Sequence, residues 1–308
     1  LVFRYVSCFP LGVKGINTHF WKAKFDSILL KILRTRSEIS AYTLQQKQQG
    51  KRIGFVPTMG ALHQGHISLI NLAKNKSDVV VCSIFVNPTQ FNDPKDLEKY
   101  PRPIEHDIAQ LESVACDVLF LPEVTEMYSQ DEKWELDLDG LDEILEGKHR
   151  PGHYQGVTQI VNKLFQYTHP DIAFFGQKDY QQVMVIEKMV QKLKLTVALE
   201  MCPIIREADG LAMSSRNVHL SPTERAQSLA LYQSLMHIKE GWGKKSVEIL
   251  KQEATEFLEK SPGISLGYLE ICAPNNLQNN HPANGSEAVA LVAASLGQTR
   301  LIDNILLP

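Results

Sequence analysis

The stretch Pro57-Thr58-Met59-Gly60-Ala61-Leu62-His63-Gln64-Gly65-His66 decides how the rest of the chain is read. Ahead of it, Ile53 to Val56 is a short apolar run of the kind that forms a buried strand. Behind it, Ile67, Ile70, Leu72 and Ala73 fall on one face of a helix running to about Asn75. Two histidines and two glycines therefore stand where a strand turns into a helix. Backbone N–H groups point outward there and the helix dipole is positive, which favours a phosphate. Gly60 and Gly65 permit close approach of a ligand to the backbone. His63 and His66, three apart, can face the same way and donate hydrogen bonds to charge that develops as a bond breaks. Two plainer readings stand beside this one: half of a zinc site, or two structural histidines satisfied within the fold.

Working outward, the same arrangement recurs. Asp78 to Val86 is a continuous β-branched run suited to a central parallel strand, and it ends in Asn87-Pro88-Thr89-Gln90. Asp117 to Leu121 is a further strand, and Asp171 to Phe175 runs directly into Gly176-Gln177-Lys178-Asp179. Gln182 lies one helical turn beyond Lys178, on the same face. Thr196 to Ile205 completes the strands, with Pro203 limiting its ladder. Helices are expected over Arg36–Gln49, Ile104–Val114, Val157–Gln166 and Val183–Leu193. Alternation of strand and helix implies an α/β fold, a doubly wound Rossmann-like parallel sheet whose ligands bind at the carboxyl ends of the strands. Asn87 and Gln90 carry amides that can hold hydroxyls or a carboxylate. Lys178 is a compact cation for phosphates, and Asp179 can orient a ribose hydroxyl, hold Lys178 or help to position a metal ion. Arg150 and His153, in Arg150-Pro151-Gly152-His153, could hold an anion, or Pro151-Gly152 could be a plain turn. Met213-Ser214-Ser215-Arg216 puts two hydroxyls and a guanidinium on a glycine-preceded loop able to wrap a triphosphate.

These strings, in this order, resemble the pantothenate synthetase (pantoate–β-alanine ligase) family of the H-x-G-H nucleotidyltransferase superfamily, from about Leu33 to the end of the chain. The resemblance implies condensation of pantoate with β-alanine, driven by ATP with Mg2+, through an enzyme-bound pantoyl adenylate and with release of AMP and pyrophosphate. It implies an ATP site built from Met59, Gly60, Ala61, Leu62, His63, Gln64, Gly65, His66, Gly176, Gln177, Lys178, Asp179, Ile205, Met213, Ser214, Ser215 and Arg216. His66, His63, Lys178 and Arg216 would carry the catalysis, with His66 in the place of the family's proton donor and phosphate stabilisation as its physical role. Gln90 and Gln182 would hold pantoate, Gln90 also touching β-alanine, with Asn87 and Arg150 in support. No residue is assigned as a dedicated metal ligand. A homodimer in the cytoplasm is the family expectation. Two other classes stay open on the residues alone. A nucleotidylyltransferase would use the same histidines but keep AMP in its product, and a non-catalytic nucleotide-binding module would need the cations lost, whereas Lys178 and Arg216 are present.

Composition is that of an ordinary globular protein: 44% apolar and 22% charged residues over 308, with a net charge of −3. That balance provides no global field toward nucleic acid or a membrane surface. Scattered cysteines without a C-x-x-C suit reduced, mostly buried thiols in a reducing compartment. Residues 1 to 36 carry seven Lys/Arg against one acid, Asp26, and are set apart as an atypical extension, a targeting segment or an upstream remnant, with no fold imposed. Residues 37–203 then form the nucleotide-binding domain and 204–308 a smaller α+β lid. In the latter, Ser221-Pro222-Thr223-Glu224 is a capping box opening one helix to about Glu240. A second helix follows over Ser246–Glu259, then strands over Gly267–Ala273, Ala288–Ala294 and Thr299–Asn304. Trp134–Asp139 alternates as an outlying strand would, and Asn275–Gly285 is a polar, exposed loop.

Overall fold

In the computed structural model, residues 30–92, 94–129, 132–277 and 285–308 are described. Among them, β1 (Lys31–Leu33), β2 (Ile53–Thr58), β3 (Val79–Ile84), β4 (Val118–Phe120), β5 (Ile172–Gly176) and β6 (Ala198–Cys202) form a sheet in the order β1-β4-β3-β2-β5-β6. All its pairings are parallel. The chain builds β2, β3 and β4 outward in one direction, then crosses back to lay β5 on the other side of β2. The strand order therefore reverses between β2 and β5, and a crevice opens there at their carboxyl ends.

Alternating side chains of the central strands feed two cores. Phe55, Val81, Phe120 and Phe175 pack on one face, under α1 (Arg36–Gln48) and the later helices His153–Thr168 and Tyr180–Lys192. Val56, Val80, Cys82, Leu119 and Phe174 pack on the other, under α2 (Gln64–Lys76) and the helix Ile104–Ser113. Because both faces are covered, β3 is buried at every position, and this explains a run without polar alternation. Cys82, Cys116 and Cys202 are buried thiols, and burial raises the pKa of each.

After β6 comes a second unit. Helices Leu229–Gly241 and Val247–Lys260 cover a three-stranded antiparallel sheet of β7 (Ile264–Cys272), β8 (Ala288–Leu296) and β9 (Thr299–Leu307). Its strands run longer than the sequence reading puts them, and β9 forms an edge.

Several elements differ from expectation for identifiable reasons. Lys31–Leu33, inside the segment on which no fold is imposed, is the edge strand β1, paired with β4. The rest of that 1–36 segment, residues 1–29, for which targeting is one of the alternatives, lies outside the described residues. Trp134–Asp139 joins no sheet, and Asp139 at its end has a positive φ of 52° and begins a turn. Gln155 replaces a neighbouring strand, its amide accepting from Leu136 N (3.0 Å) and donating to Leu136 O (2.9 Å). The helix expected from Val157 starts at His153. The single helix expected from Pro222 to about Glu240 is interrupted at Ser228, whose buried hydroxyl donates to Arg225 O at 2.7 Å, a local bond that competes with the helical ladder. The short helices Pro94–Lys99 and Leu145–His149 are not anticipated. Most of the expected Asn275–Gly285 loop, residues 278–284, lies outside the described residues, and Leu277 beside it is buried.

Candidate active site

The carboxyl ends of β2, β3 and β5 open onto one cleft of about 1210 Å3, counting its open mouth. Met59, His63, Gly65, His66, Asn87, Gln90, Gly176, Lys178, Asp179, Gln182, Ile205, Met213, Ser214, Ser215 and Arg216 line it. The four separated strings of sequence thus converge on one space, with Val157, Ile160, Val161 and Leu164 as an apolar floor.

His63 is the N-cap of α2. Its Nδ1 accepts from Gly65 N at 3.1 Å, while His66 Nδ1 accepts from His63 N at 3.3 Å, a capping box made of two imidazoles. Because each Nδ1 is an acceptor, each proton sits on Nε2, leaving both rings with an N–H donor. The ring centroids are 4.1 Å apart. Burial, and then the Lys178 charge, hold His63 down to about 4. Burial, His63 and Lys178 hold His66 well below its ordinary value. Both are held toward the neutral form, in which each ring offers an N–H donor. Gly65 is required beside them: a Cβ there would lie 2.7 Å from His63 Cε1.

The backbone N–H groups of Ala61 and Leu62 do not face the cleft. They donate to the carboxylate of Asp107, at 2.8 and 2.7 Å, and Gly60 N donates to Thr58 Oγ1 at 3.2 Å. Asp107 is almost fully buried, and burial raises its pKa against the lowering effect of those two donors. Gln64 points outward, with Asn71, His106 and Gln110, and is not in the cleft. Gly60, Ala61, Leu62 and Gln64 are thus grouped with the nucleotide by resemblance but stand behind or outside the cleft wall.

On the second strand end, Asn87 is saturated. Its Nδ2 donates to Gln90 Oε1 (3.2 Å) and Gly156 O (3.1 Å), and its Oδ1 accepts from Tyr128 Oη (2.6 Å). This fixes Gln90, whose Nε2 lies 3.0 Å from Met59 Sδ. Arg150 is set beside the cleft, not in it. Its guanidinium donates to Gln90 O (3.2 Å) and to His153 Nε2 (3.2 Å), while His153 Nδ1–H donates to Gln90 O at 2.8 Å. Burial lowers Arg150 from its ordinary value and, with the Arg150 charge, takes His153 down to about 4. Both residues brace the Gln90 backbone.

Lys178 projects from the turn after β5, 3.9 Å from Asp179. Gln177 turns away and donates to Asn304 at 3.0 Å. Opposite, the segment Ile205–Met213 doubles back on itself through the bridge Arg206–Ala212, and a 3-10 turn beginning at Ser215 follows. Arg216 lies 3.4 Å from Asp96, and Tyr100 Oη pairs with Ser215 Oγ at 3.1 Å. Asp96, Tyr100, Asp107 and Tyr128 are neighbours of the site residues to which the sequence assigns no role. They lie in the connections on either side of β4, and nothing in the local sequence marks them.

Among the described residues, no group of three or more His, Cys, Asp or Glu could hold a metal ion. Asp179 is the only acidic side chain among the described residues that line the cleft. That donor set does not cage an ion by itself, but it fits a magnesium ion that arrives on nucleotide phosphates and uses one carboxylate.

The profile of the family described as Pantoate-beta-alanine ligase matches residues 31–306. The pantothenate synthetase of Koribacter versatilis is 46% identical over 280 residues, 90% of this chain and 96% of that protein. That of Acetivibrio thermocellus is 44% identical over 279 residues, covering 90% and 99%. Among solved structures, the pantothenate synthetase of Thermus thermophilus superposes with a TM-score of 0.84 at 38% identity, covering 90% of this chain and 99% of that one. The pantoate-beta-alanine ligase of Francisella tularensis, complexed with beta-gamma ATP and beta-alanine, superposes with a TM-score of 0.75 at 37% identity, covering 90% and 97%.

Proposed function

The chain belongs to the pantoate–β-alanine ligase family, and from that premise we propose that it joins pantoate to β-alanine through a pantoyl adenylate. In the first step a pantoate carboxylate oxygen attacks the α-phosphorus of ATP. The bond from that phosphorus to the bridging oxygen of the β-phosphate breaks, and pyrophosphate leaves with the electron pair. In the second, the β-alanine amine attacks the acyl carbon of the adenylate, loses a proton, and AMP leaves.

One observation carries this reading: reciprocal Nδ1 capping leaves the Nε2–H groups of His63 and His66 as donors in the cleft that also holds Lys178 and Arg216. Neutral donors and fixed cations stabilise phosphate charge as it shifts to the leaving group, without a proton transfer. Gln90, held by Asn87, and Gln182 face the same space and orient pantoate so that its carboxylate meets the phosphorus in line. Magnesium, bound with the nucleotide, would neutralise phosphate charge, and Asp179 is the side chain that would touch it. No covalent enzyme intermediate is needed.

The experiment is product analysis with Mg-ATP and pantoate, with and without β-alanine. Multiple turnovers giving AMP, pyrophosphate and pantothenate in equal amounts, only when all substrates are present, are expected. ADP and inorganic phosphate in their place would replace the adenylate by an acyl phosphate and overturn the proposal. We further propose division of the chain at residues 203/204, a homodimer, and residence in the cytoplasm. Sedimentation at the mass of one chain would remove the dimer.

A further inference from the structure

Asp303 and Asn304 are consecutive residues on the edge strand of the small sheet. They are 4% and 1% exposed, and neither lines the main cleft. Each nevertheless holds one of the two elements that bring cations into it. Asn304 Nδ2 donates to Gln177 O at 2.9 Å and to Lys178 O at 3.0 Å, while its Oδ1 accepts from Gln177 Nε2 at 3.0 Å. All three bonds fall on the 3-10 turn Gln177–Asp179, from which the Lys178 side chain projects. Asp303 takes the guanidinium of Arg206 on both oxygens, at 2.6 and 2.9 Å. Arg206 also donates to Gly210 O (3.1 Å) and Asn304 O (3.2 Å) and lies over the Tyr232 ring at 4.4 Å. It is the root of the segment that doubles back to present Ser214, Ser215 and Arg216. Asp303 Oδ1 further accepts the backbone N–H of Asn304 at 2.7 Å, so the two residues brace each other.

We propose that Asp303 and Asn304 form a positioning clamp. Through them the C-terminal sheet sets the Lys178 turn and the root of the Ser214–Arg216 loop in one fixed relation across the cleft. The physical reason is that the strands behind Lys178 and Arg216 pair only as far as Gly176 and Cys202, so the turn and the loop that carry the two cations leave the ladder before they reach the cleft. A triphosphate needs both cations at fixed separation, and an error of about 1 Å in such a placement costs on the order of a hundredfold in rate. A side-chain amide that binds two successive carbonyls fixes both position and tilt of a turn. A bidentate Arg–carboxylate pair does the same for the loop root. Both residues are positioning residues, since neither lines the main cleft.

The clamp rests on the reading of Lys178 as a phosphate-facing cation, and the test separates the two. Full-length wild type must first form pantothenate, AMP and pyrophosphate; failure there removes the functional reading and, with it, the clamp's premise. Asn304→Ala is then measured alone and with Lys178→Met, in single-turnover pyrophosphate release at saturating ATP and pantoate. Alone, it is expected to slow release by roughly ten- to a hundredfold, with KM for pantoate changed less than about threefold. Combined with Lys178→Met, the same change should cost less than about twofold, because it acts through a side chain already removed. Equal fold-losses in the two backgrounds, or no loss in the first, would overturn the clamp. Should Asn304→Ala fail to fold, Asn304→Ser is read against Lys178→Met by the same criterion.

Discussion

Substituting Gly65 by alanine separates the proposed catalytic role of His63 from its structural one. The added Cβ would stand 2.7 Å from His63 Cε1 and 2.9 Å from its Nδ1, inside any contact that real Cβ atoms make. The imidazole must swing away, and the bond it accepts from Gly65 N at 3.1 Å is lost. Loss of an N-cap acceptor costs about 1 kcal/mol. Against this, alanine in place of glycine at a helical position stabilises by about 0.4–1 kcal/mol, largely by restricting the unfolded chain. Net stability should therefore stay within about 1 kcal/mol of wild type. Activity should not. The displaced ring takes its Nε2–H away from the phosphates, and loss of one preorganised donor to developing charge costs on the order of 10²–10³ in kcat. Urea unfolding gives the first quantity and initial rates of pyrophosphate release at saturating substrates give the second. A kcat within about threefold of wild type would refute the assignment of His63 as a phosphate donor. A stability loss above about 3 kcal/mol would refute the offset of cap against propensity.

Three further outcomes follow from the same geometry. Folded His63 and His153 each titrate at about 4, against an ordinary 6.5, so between those values the unfolded chain binds protons that the native one refuses. Their contribution is complete above about pH 6.5 and is lost as pH falls toward 4, by up to about 1.4 kcal/mol per pH unit for each. Urea unfolding of the ligand-free protein at pH 7, 6 and 5 should show that loss, and His63→Asn, which keeps a capping side chain, should make it shallower by one proton; equal slopes would contradict the depressed pKa. Gly156→Ala would drive a Cβ to 2.4 Å from Thr89 O and 2.8 Å from Gln90 N, so the turn carrying Gln90 must move. We expect about 1–3 kcal/mol of destabilisation and a KM for pantoate raised at least about tenfold, and an unchanged KM would show that Gln90 does not hold that substrate. Asp179→Asn should raise the magnesium concentration for half-maximal rate by about tenfold, and an unaltered magnesium dependence would remove Asp179 as the carboxylate that meets the ion.

The sheet was legible because both of its faces are covered. Such strands lose polar alternation, so runs like Asp78–Val86 and Asp171–Phe175 stand out, and each ends in a polar cluster at the edge where ligands bind. What was not legible depends on long-range partners. β1 is three residues long and is a strand because Val118–Phe120 lies beside it. Trp134–Asp139 carries a strand pattern but finds the Gln155 amide instead of a neighbouring strand.

A long-range partner also decides what the backbone of Gly60, Ala61 and Leu62 does. A glycine-containing turn between strand and helix suggests backbone N–H groups waiting for phosphate, and the local pattern alone has no means of saying otherwise. Asp107, more than forty residues on, takes two of them. A carboxylate in that position satisfies both donors, so this turn is a preorganised support, and in the proposed mechanism the phosphates are met by side chains. The same division explains the helix start itself. In many nucleotide sites the first N–H groups of the helix meet the anion; here the imidazoles of His63 and His66 cap Gly65 N and His63 N and present their own N–H groups in place of the backbone. The donors at this helix N-terminus are thus carried about one ring's width into the cleft. That is why the spacing of these two histidines, with glycine between them, matters more here than the glycine turn before them.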